Sequence, residues 1–196
     1  MDAAHWDERY AKAEHKHGPD PNHFLVQEID GMEPGRALDL AAGEGRNAIW
    51  LAAEGWNVTA VDFSRVAIDK ARLLAERRGV EVEWVVADLR DFEAPCQGFD
   101  LVIMFYLHLT APERRKVLDK AAETLRPGGT LLIVGHDRAN LTDGVGGPSD
   151  PALLLDAEEV ASDLDGLVID RAERVVRPVK GSDRDALDTL VRARKP

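Results

Sequence analysis

The chain's 196 residues give room for one α/β domain with a sizeable core and not for a separate substrate domain. A formal net charge of −11, with no compensating basic stripe, argues against docking on nucleic acid or an anionic membrane and favours a small-molecule substrate. One cysteine, Cys96, excludes an intrachain disulfide; with no signal-like segment near Met1 and no apolar run long enough for a bilayer, a cytoplasmic location is expected.

In chain order, residues 4–16 lack loop breakers and set Trp6, Tyr10 and Ala13 on one side at helical spacing, which predicts a short helix. Gly18-Pro19-Asp20-Pro21-Asn22 then enforces a turn, and Phe24, Leu25, Glu28 and Ile29 continue as a second helix capped by Asn22. Trp6 and Tyr10 read either as anchors of a terminal helix on the core or as part of a lid over residues 4–24 that closes on a ligand. His15, His17 and His23 flank the turn without the recurrent spacing of a structural zinc site; they read as surface histidines, and no metal is expected.

Residues 36–62 read as strand, tight glycine turn, helix and second strand, the βαβ half of a nucleotide-binding sheet. Gly43 and Gly45 allow a turn that brings main-chain N–H groups to a ligand at a helix N-terminus. Asp62 ends the second strand, where a carboxylate can accept hydrogen bonds from both hydroxyls of a ribose. Gly43-x-Gly45-x-x-Ala48 with this later acid also fits a dinucleotide fingerprint. Asp39 in the first strand and Glu44 between the glycines would repel a pyrophosphate, however, whereas they suit S-adenosylmethionine, which carries an ammonium and a sulfonium in place of phosphates.

Ser64 caps a helix predicted over 65–78, closed by Gly79, and Val82–Ala87 forms a third strand ending at Asp88-Leu89-Arg90. Asp88 reads either as a contact to an adenine amino group or as the cap of a short helix over 89–92. Phe99–Tyr106 is nearly continuous apolar sequence, as in a central strand buried on both faces, and its carboxyl end delivers Phe105, Tyr106 and His108 to the crevice. A helix over 112–125 begins with a proline and stops at Arg126-Pro127-Gly128-Gly129, before a fifth strand at Thr130–Gly135. His136 leaves that strand with Asp137 beside it and a long glycine-rich loop behind, and is the candidate general base, with His108 next. A short helix near 157–163 and strands over 168–176 and 186–193 complete the chain.

The run Leu38-Asp39-Leu40-Ala41-Ala42-Gly43-Glu44-Gly45 resembles the cofactor loop of the class I S-adenosylmethionine-dependent methyltransferases, with Ala41 where their first loop glycine stands. The continuation Gly45-Arg46-Asn47 and the Trp6…Tyr10 opening look most like the small bacterial branch that includes the tellurite-resistance methyltransferases. Leu125-Arg126-Pro127-Gly128-Gly129 before a strand is a second mark of the family. The resemblance implies a Rossmann-like three-layer sandwich with a seven-stranded, mostly parallel sheet of order 3-2-1-4-5-7-6 and an antiparallel last strand. It implies one methyltransferase domain over residues 1–196, with residues 1–30 a helical lid carrying Trp6 and Tyr10 over the substrate, and Tyr106 in the same pocket. Its cofactor contacts would come from Asp39, Ala41, Gly43, Gly45, Arg46 and Asn47 in the loop, from Asp62 and Phe63 after the second strand, and from Asp88, Leu89 and Phe105.

Methyl transfer from S-adenosylmethionine to a hydroxyl, as of a sugar, or to a thiol or related chalcogen is therefore expected, by a monomer or homodimer. A single-domain NAD(P)-dependent oxidoreductase is the alternative, yet the Tyr-x-x-x-Lys pattern of short-chain reductases is not met: Glu14 follows Tyr10 at that spacing and Thr110 follows Tyr106. A non-catalytic S-adenosylmethionine-binding module is the third reading.

Overall fold

Periodic apolar runs separated by glycine and proline turns build a sheet covered by helices on both faces. The structure, a computed structural model, describes residues 3–12, 18–94 and 98–196; Ala13, His15, His17 and Cys96 lie outside the described residues. Helices α1 (Ala3–Ala11) and α2 (His23–Glu28) precede β1 (Arg36–Leu40), α3 (Arg46–Ala53), β2 (Asn57–Asp62), α4 (Arg65–Arg78) and β3 (Glu83–Val86). There follow β4 (Phe99–Phe105), α5 (Ala111–Thr124), β5 (Leu125–His136), α6 (Ala157–Ser162), β6 (Val168–Arg177) and β7 (Ala186–Arg194). The strand order is β3-β2-β1-β4-β5-β7-β6, with β7 antiparallel to both neighbours and the remaining pairs parallel, as expected.

Alternation along the strands divides the core between the two faces. Val102 and Met104 of β4 and Leu131 and Ile133 of β5 pack with Val117 and Leu118 of α5 and Val160 of α6. Leu101, Ile103 and Phe105, with Leu132 and Val134, face Leu25 of α2 and Leu51 of α3. Phe99 breaks the alternation: a register shift between Phe99 and Leu101 turns it to the α5 face.

Several element boundaries follow from local chemistry. Asn22 caps α2 by accepting from Phe24 N, Ser64 caps α4 by accepting from Ala67 N, and Gly79 ends α4 in the left-handed conformation. Thr110 and Glu113 form a capping box at α5, and Asp156 caps α6. Two elements differ from expectation. Residues 88–92 make a single turn, with Asp91 N and Phe92 N both donating to Asp88 O, rather than a helix. The Arg126–Gly129 turn is drawn into β5, because Gly128 N donates to Lys195 O and Lys195 N to Gly129 O, extending the antiparallel ladder beyond β7.

Gly129 is where that turn meets β4: a Cβ would lie 2.7 Å from Phe99 O and 2.9 Å from Arg126 O, both backbone atoms that cannot swing aside. Gly129→Ala should therefore cost roughly 1–3 kcal/mol, the usual range for overpacking, read as a lowered urea midpoint with an unchanged m-value. An unaltered midpoint would mean that the turn relaxes freely.

Candidate active site

The parallel strands all point their carboxyl ends toward one edge, and there the sheet opens into a cavity of about 850 Å³. One end is built by the β1–α3 turn. Gly45 caps α3 at φ 77°, and Ala41, the residue in place of a loop glycine, is held at φ 66°, a conformation costing an L-residue on the order of 1 kcal/mol. Ala42 N donating to Val61 O and Gly45 N to Ala42 O keep the turn closed. Asp62 fixes its height: Oδ2 accepts from Gly43 N at 2.8 Å, and Oδ1 from Ser64 N at 2.8 Å. Burial raises the Asp62 carboxyl, opposed by the N–H bonds of Ser64 and Gly43.

Helix α1 covers this turn. Ser64 Oγ donates to Asp7, Lys70 of α4 bonds both Tyr10 O and Glu44, and the buried Tyr10 places its hydroxyl where a Cβ on Gly43 would lie 2.9 Å away. Burial, then the charges of Asp62 and Glu44, raise the Tyr10 phenol well above its ordinary range and keep it protonated.

The other end gathers residues from α1, the cap of α2, the exit of β4, and β5, β6 and β7. Tyr106, at φ 55° just past β4, donates its hydroxyl to Asp188 Oδ2 at 2.8 Å and accepts from Asn22 Nδ2 at 3.3 Å. Arg177 of β6 donates to the same Asp188 oxygen at 2.6 Å. His136 Nδ1 lies 3.1 Å from Asp188 Oδ1, within ion-pair distance though outside ideal hydrogen-bond alignment. Rings of Trp6, His108 and His136 form a wall, with centroids 6.3 Å and 5.9 Å apart in turn, and Tyr106 stands 5.0 Å from His136. The glycine-rich loop closes over His136: a Cβ on Gly147 would come within 2.8 Å of Cδ2 and 3.1 Å of Nε2. Asn140 pins the loop by donating to Gly146 O at 2.7 Å while accepting from Leu187 N at 2.8 Å.

Most residues singled out from the sequence line this cavity: Trp6, Tyr10, Ala41, Gly43, Arg46, Asn47, Asp62, Phe63, Asp88, Leu89, Phe105, Tyr106, His108 and His136. Three do not. Gly45 instead makes room for Trp84, whose ring a Cβ would meet at 2.4 Å. Asp39 lies beneath the turn at 1 % exposure, its Oδ2 without a hydrogen-bond partner among the described residues. Asp137 points away, because neighbours on a strand face opposite sides; it is held by Thr189 Oγ1, Arg174 Nε and Ala139 N, and caps the following 3₁₀ turn. The acid beside His136 is thus Asp188, which the sequence reading missed together with Arg177; a lone carboxylate inside the apolar strand Ala186–Ala193 was the available signal. Nor does the charge argument against a pyrophosphate hold as read: Glu44 is paired with Lys70 at 3.2 Å, and burial drives Asp39 toward neutrality. His23 is exposed, as expected, while also bordering the cavity with its ring against Phe24; partial burial, then Arg177, lower its basicity. Asp88 faces the cavity while its side chain accepts from Arg90 N and ion-pairs the Arg90 side chain, so it caps a turn rather than a helix. No group of side chains among the described residues is arranged to hold a metal ion, and no described helix is long and apolar enough to cross a membrane.

A mostly parallel sheet of this order, with a glycine turn and an acid at the next strand end, is the architecture on which α/β domains bind nucleosides at the carboxyl ends of the strands. Residues 37–129 match the family described as a methyltransferase domain. Among curated proteins, demethylmenaquinone methyltransferase of Clavibacter sepedonicus is 39 % identical over 100 residues, covering 50 % of this chain and 40 % of that one. Ubiquinone biosynthesis O-methyltransferase of Vibrio parahaemolyticus is 28 % identical over 130 residues, covering 65 % and 55 %. The chain spans about half the length of the curated relatives it matches. Of solved structures, TehB from Haemophilus influenzae superposes with a TM-score of 0.75 at 19 % identity, over 89 % of this chain and 62 % of that one. The protein studied for conversion of a disulfide bond into a thioacetal group during echinomycin biosynthesis gives 0.79 at 24 %, over 98 % and 91 %. The chain thus shares the fold of these solved structures, and residues 37–129 are similar to a methyltransferase domain, for which S-adenosylmethionine is the cofactor expected from the sequence.

The residues fit that cofactor. After its two backbone bonds Asp62 keeps lone pairs for ribose hydroxyls, the turn presents glycine backbone, and Arg46 offers a cation to a carboxylate. Burial, then the charge of Asp62, push the Asp39 carboxyl up to about 7, against Arg46 and the Ala48 N–H. The folded protein thus keeps a proton that an unfolded chain releases near pH 4, so this contribution to stability is full below about pH 4 and lost as pH rises through about 7. Asp39→Asn should gain thermal stability over the parent as pH is raised from about 5 to about 8, by roughly a few kcal/mol. A difference independent of pH would show that Asp39 stays ionised throughout.

Proposed function

We propose that the chain transfers a methyl group from S-adenosylmethionine to a small-molecule nucleophile, a hydroxyl or a thiol-type centre, with His136 as the proton acceptor. The reading rests above all on one cavity running from Asp62 and the Gly43 turn to Tyr106, His108 and His136. When bound, the cofactor supplies an electrophilic methyl carbon whose bond pair departs on sulfur as the acceptor's lone pair attaches. The chain's own residues do the rest. Asp62, Gly43 and Asn47 hold the nucleoside and amino-acid portions, and Arg46 pairs with a carboxylate. Tyr10 and Trp6, on a helix tied to α4 through Asp7 and Lys70, cover the turn as a lid and exclude water. Positioning alone accounts for much of such an acceleration, because an in-line displacement needs the reacting atoms about 3–3.5 Å apart.

A hydroxyl acceptor must also lose a proton, and an imidazole serves near neutral pH. His108, stacked between Trp6 and His136, is the second candidate for that role. A small acceptor agrees with relatives named for demethylmenaquinone and ubiquinone biosynthesis, and with a formal net charge of −11, unfavourable for nucleic acid.

The two ends of the cavity make separable predictions. Asp62→Ala should weaken S-adenosylhomocysteine binding by roughly 1.5–3 kcal/mol in calorimetry, since hydrogen bonds to a carboxylate are lost. His136→Ala should bind S-adenosylhomocysteine nearly as the parent does, yet lose about 10² to 10⁴ in turnover on a hydroxyl acceptor. Parent affinity in a folded Asp62→Ala protein would remove the cofactor assignment, and full turnover in His136→Ala would remove the base.

A further inference from the structure

An acceptor that arrives as an anion, such as a thiolate, needs no base, whereas a hydroxyl, which arrives protonated, does. We propose that Asp188 is the positioning residue for His136, and that the pair commits the site to an acceptor that arrives protonated, a hydroxyl rather than a thiolate or other chalcogenide anion. This rests on the methyltransferase reading above and narrows its acceptor.

The pair is a product of strand register. His136 and Asp188 are direct partners in the antiparallel β5–β7 ladder, so their side chains leave the sheet on the same face, and one residue of slip would separate them. Asp188 is fully buried. Its Oδ2 is occupied by Tyr106 Oη and Arg177 Nε, which leaves Oδ1 for His136 Nδ1 at 3.1 Å. Burial opposes the charge on Asp188, but the contacts of His136, Arg177 and Tyr106 outweigh it and hold the carboxyl below its ordinary range. The imidazole therefore faces a fixed anion through Nδ1, which keeps the proton on that nitrogen and leaves the Nε2 lone pair for the acceptor's proton.

As the acceptor oxygen bonds to the methyl carbon, its proton moves to Nε2, the imidazole becomes cationic against Asp188, and the proton later passes to solvent. A thiolate has no proton to give, and for it a carboxylate-backed base is idle. The other charged or titratable groups around His136 are Arg177 on β6, Tyr106 and His108 after β4, His23 on α2 and Asp150 in the overlying loop. Of these only Arg177 and Tyr106 are bonded to Asp188.

The test has an arm without turnover. Two-bond ¹H–¹⁵N spectra of the cofactor-free protein should show neutral His136 as the Nδ1–H tautomer, and Asp188→Asn should shift it toward Nε2–H; an Nε2–H tautomer in the parent overturns the proposal. The second arm follows labelled methyl from S-adenosylmethionine to phenol and to thiophenol, which ionises near neutrality. The parent should label phenol, and Asp188→Asn should lower kcat on phenol about 10²-fold, leave the KM for S-adenosylmethionine unchanged, and recover as pH is raised. Any thiophenol transfer should change little. Transfer to thiophenol alone, or equal losses on both probes, overturns the proposal; if neither probe is labelled, the tautomer decides. Tyr106→Phe, which keeps the carboxylate, should give an intermediate loss and serves if Asp188→Asn does not fold. Failure of the parent to bind S-adenosylhomocysteine would instead remove the underlying reading.

Discussion

The cofactor end of this protein depends on one buried carboxylate. Asp62 accepts Gly43 N with one oxygen and Ser64 N with the other, so a single side chain fixes both the glycine turn and the entry to α4. Ser64 in turn caps α4 through Ala67 N and donates to Asp7 of α1. Sheet, turn, flanking helix and covering helix are thus linked through Asp62 at the end of β2 and Ser64 two residues on. The strained Ala41 is tolerated because these bonds determine the turn from both sides. A carboxylate that spends half its capacity on its own backbone is also pre-oriented, so little is lost in fixing it when a ribose arrives.

The acceptor end is organised on a different principle. Its residues are scattered in the chain, at Asn22, Tyr106, His136, Arg177 and Asp188, and meet only because β7 inserts between β5 and β6. Contacts there are between side chains from different strands rather than between a side chain and nearby backbone. The two ends can therefore vary independently: the turn and Asp62 can persist while the residues around His136 change with the acceptor.

This difference explains what could be read from the sequence. The glycine turn at Gly43 and Gly45, Asp62 at the strand end, the Ser64 cap and the whole of α4 are local signals, in which spacing along the chain translates directly into distance, and the turn, cap and helix are observed. The sheet order was supplied by family resemblance rather than by pattern, and it too is observed. His136 was visible as an imidazole at a strand end, but its partner was misread. Asp137 is adjacent in sequence and therefore on the opposite face, whereas Asp188 is remote and exactly opposed only through cross-strand register, which no single-chain periodicity encodes.

The position of β7 has a further consequence for folding. Since β6 precedes β7 in the chain but pairs in the sheet only with β7, β6 cannot join the ladder ahead of it, and the β6–β7 pair forms the outermost unit of the sheet beyond β5. Partial opening of that unit would carry Asp188 and Arg177 away from His136 while β1, β2 and α4 stayed paired. In such an opening the Asp62 end would persist while the His136–Asp188 pairing is lost, and native-state hydrogen exchange would find its weakest sheet amides on β6 and β7.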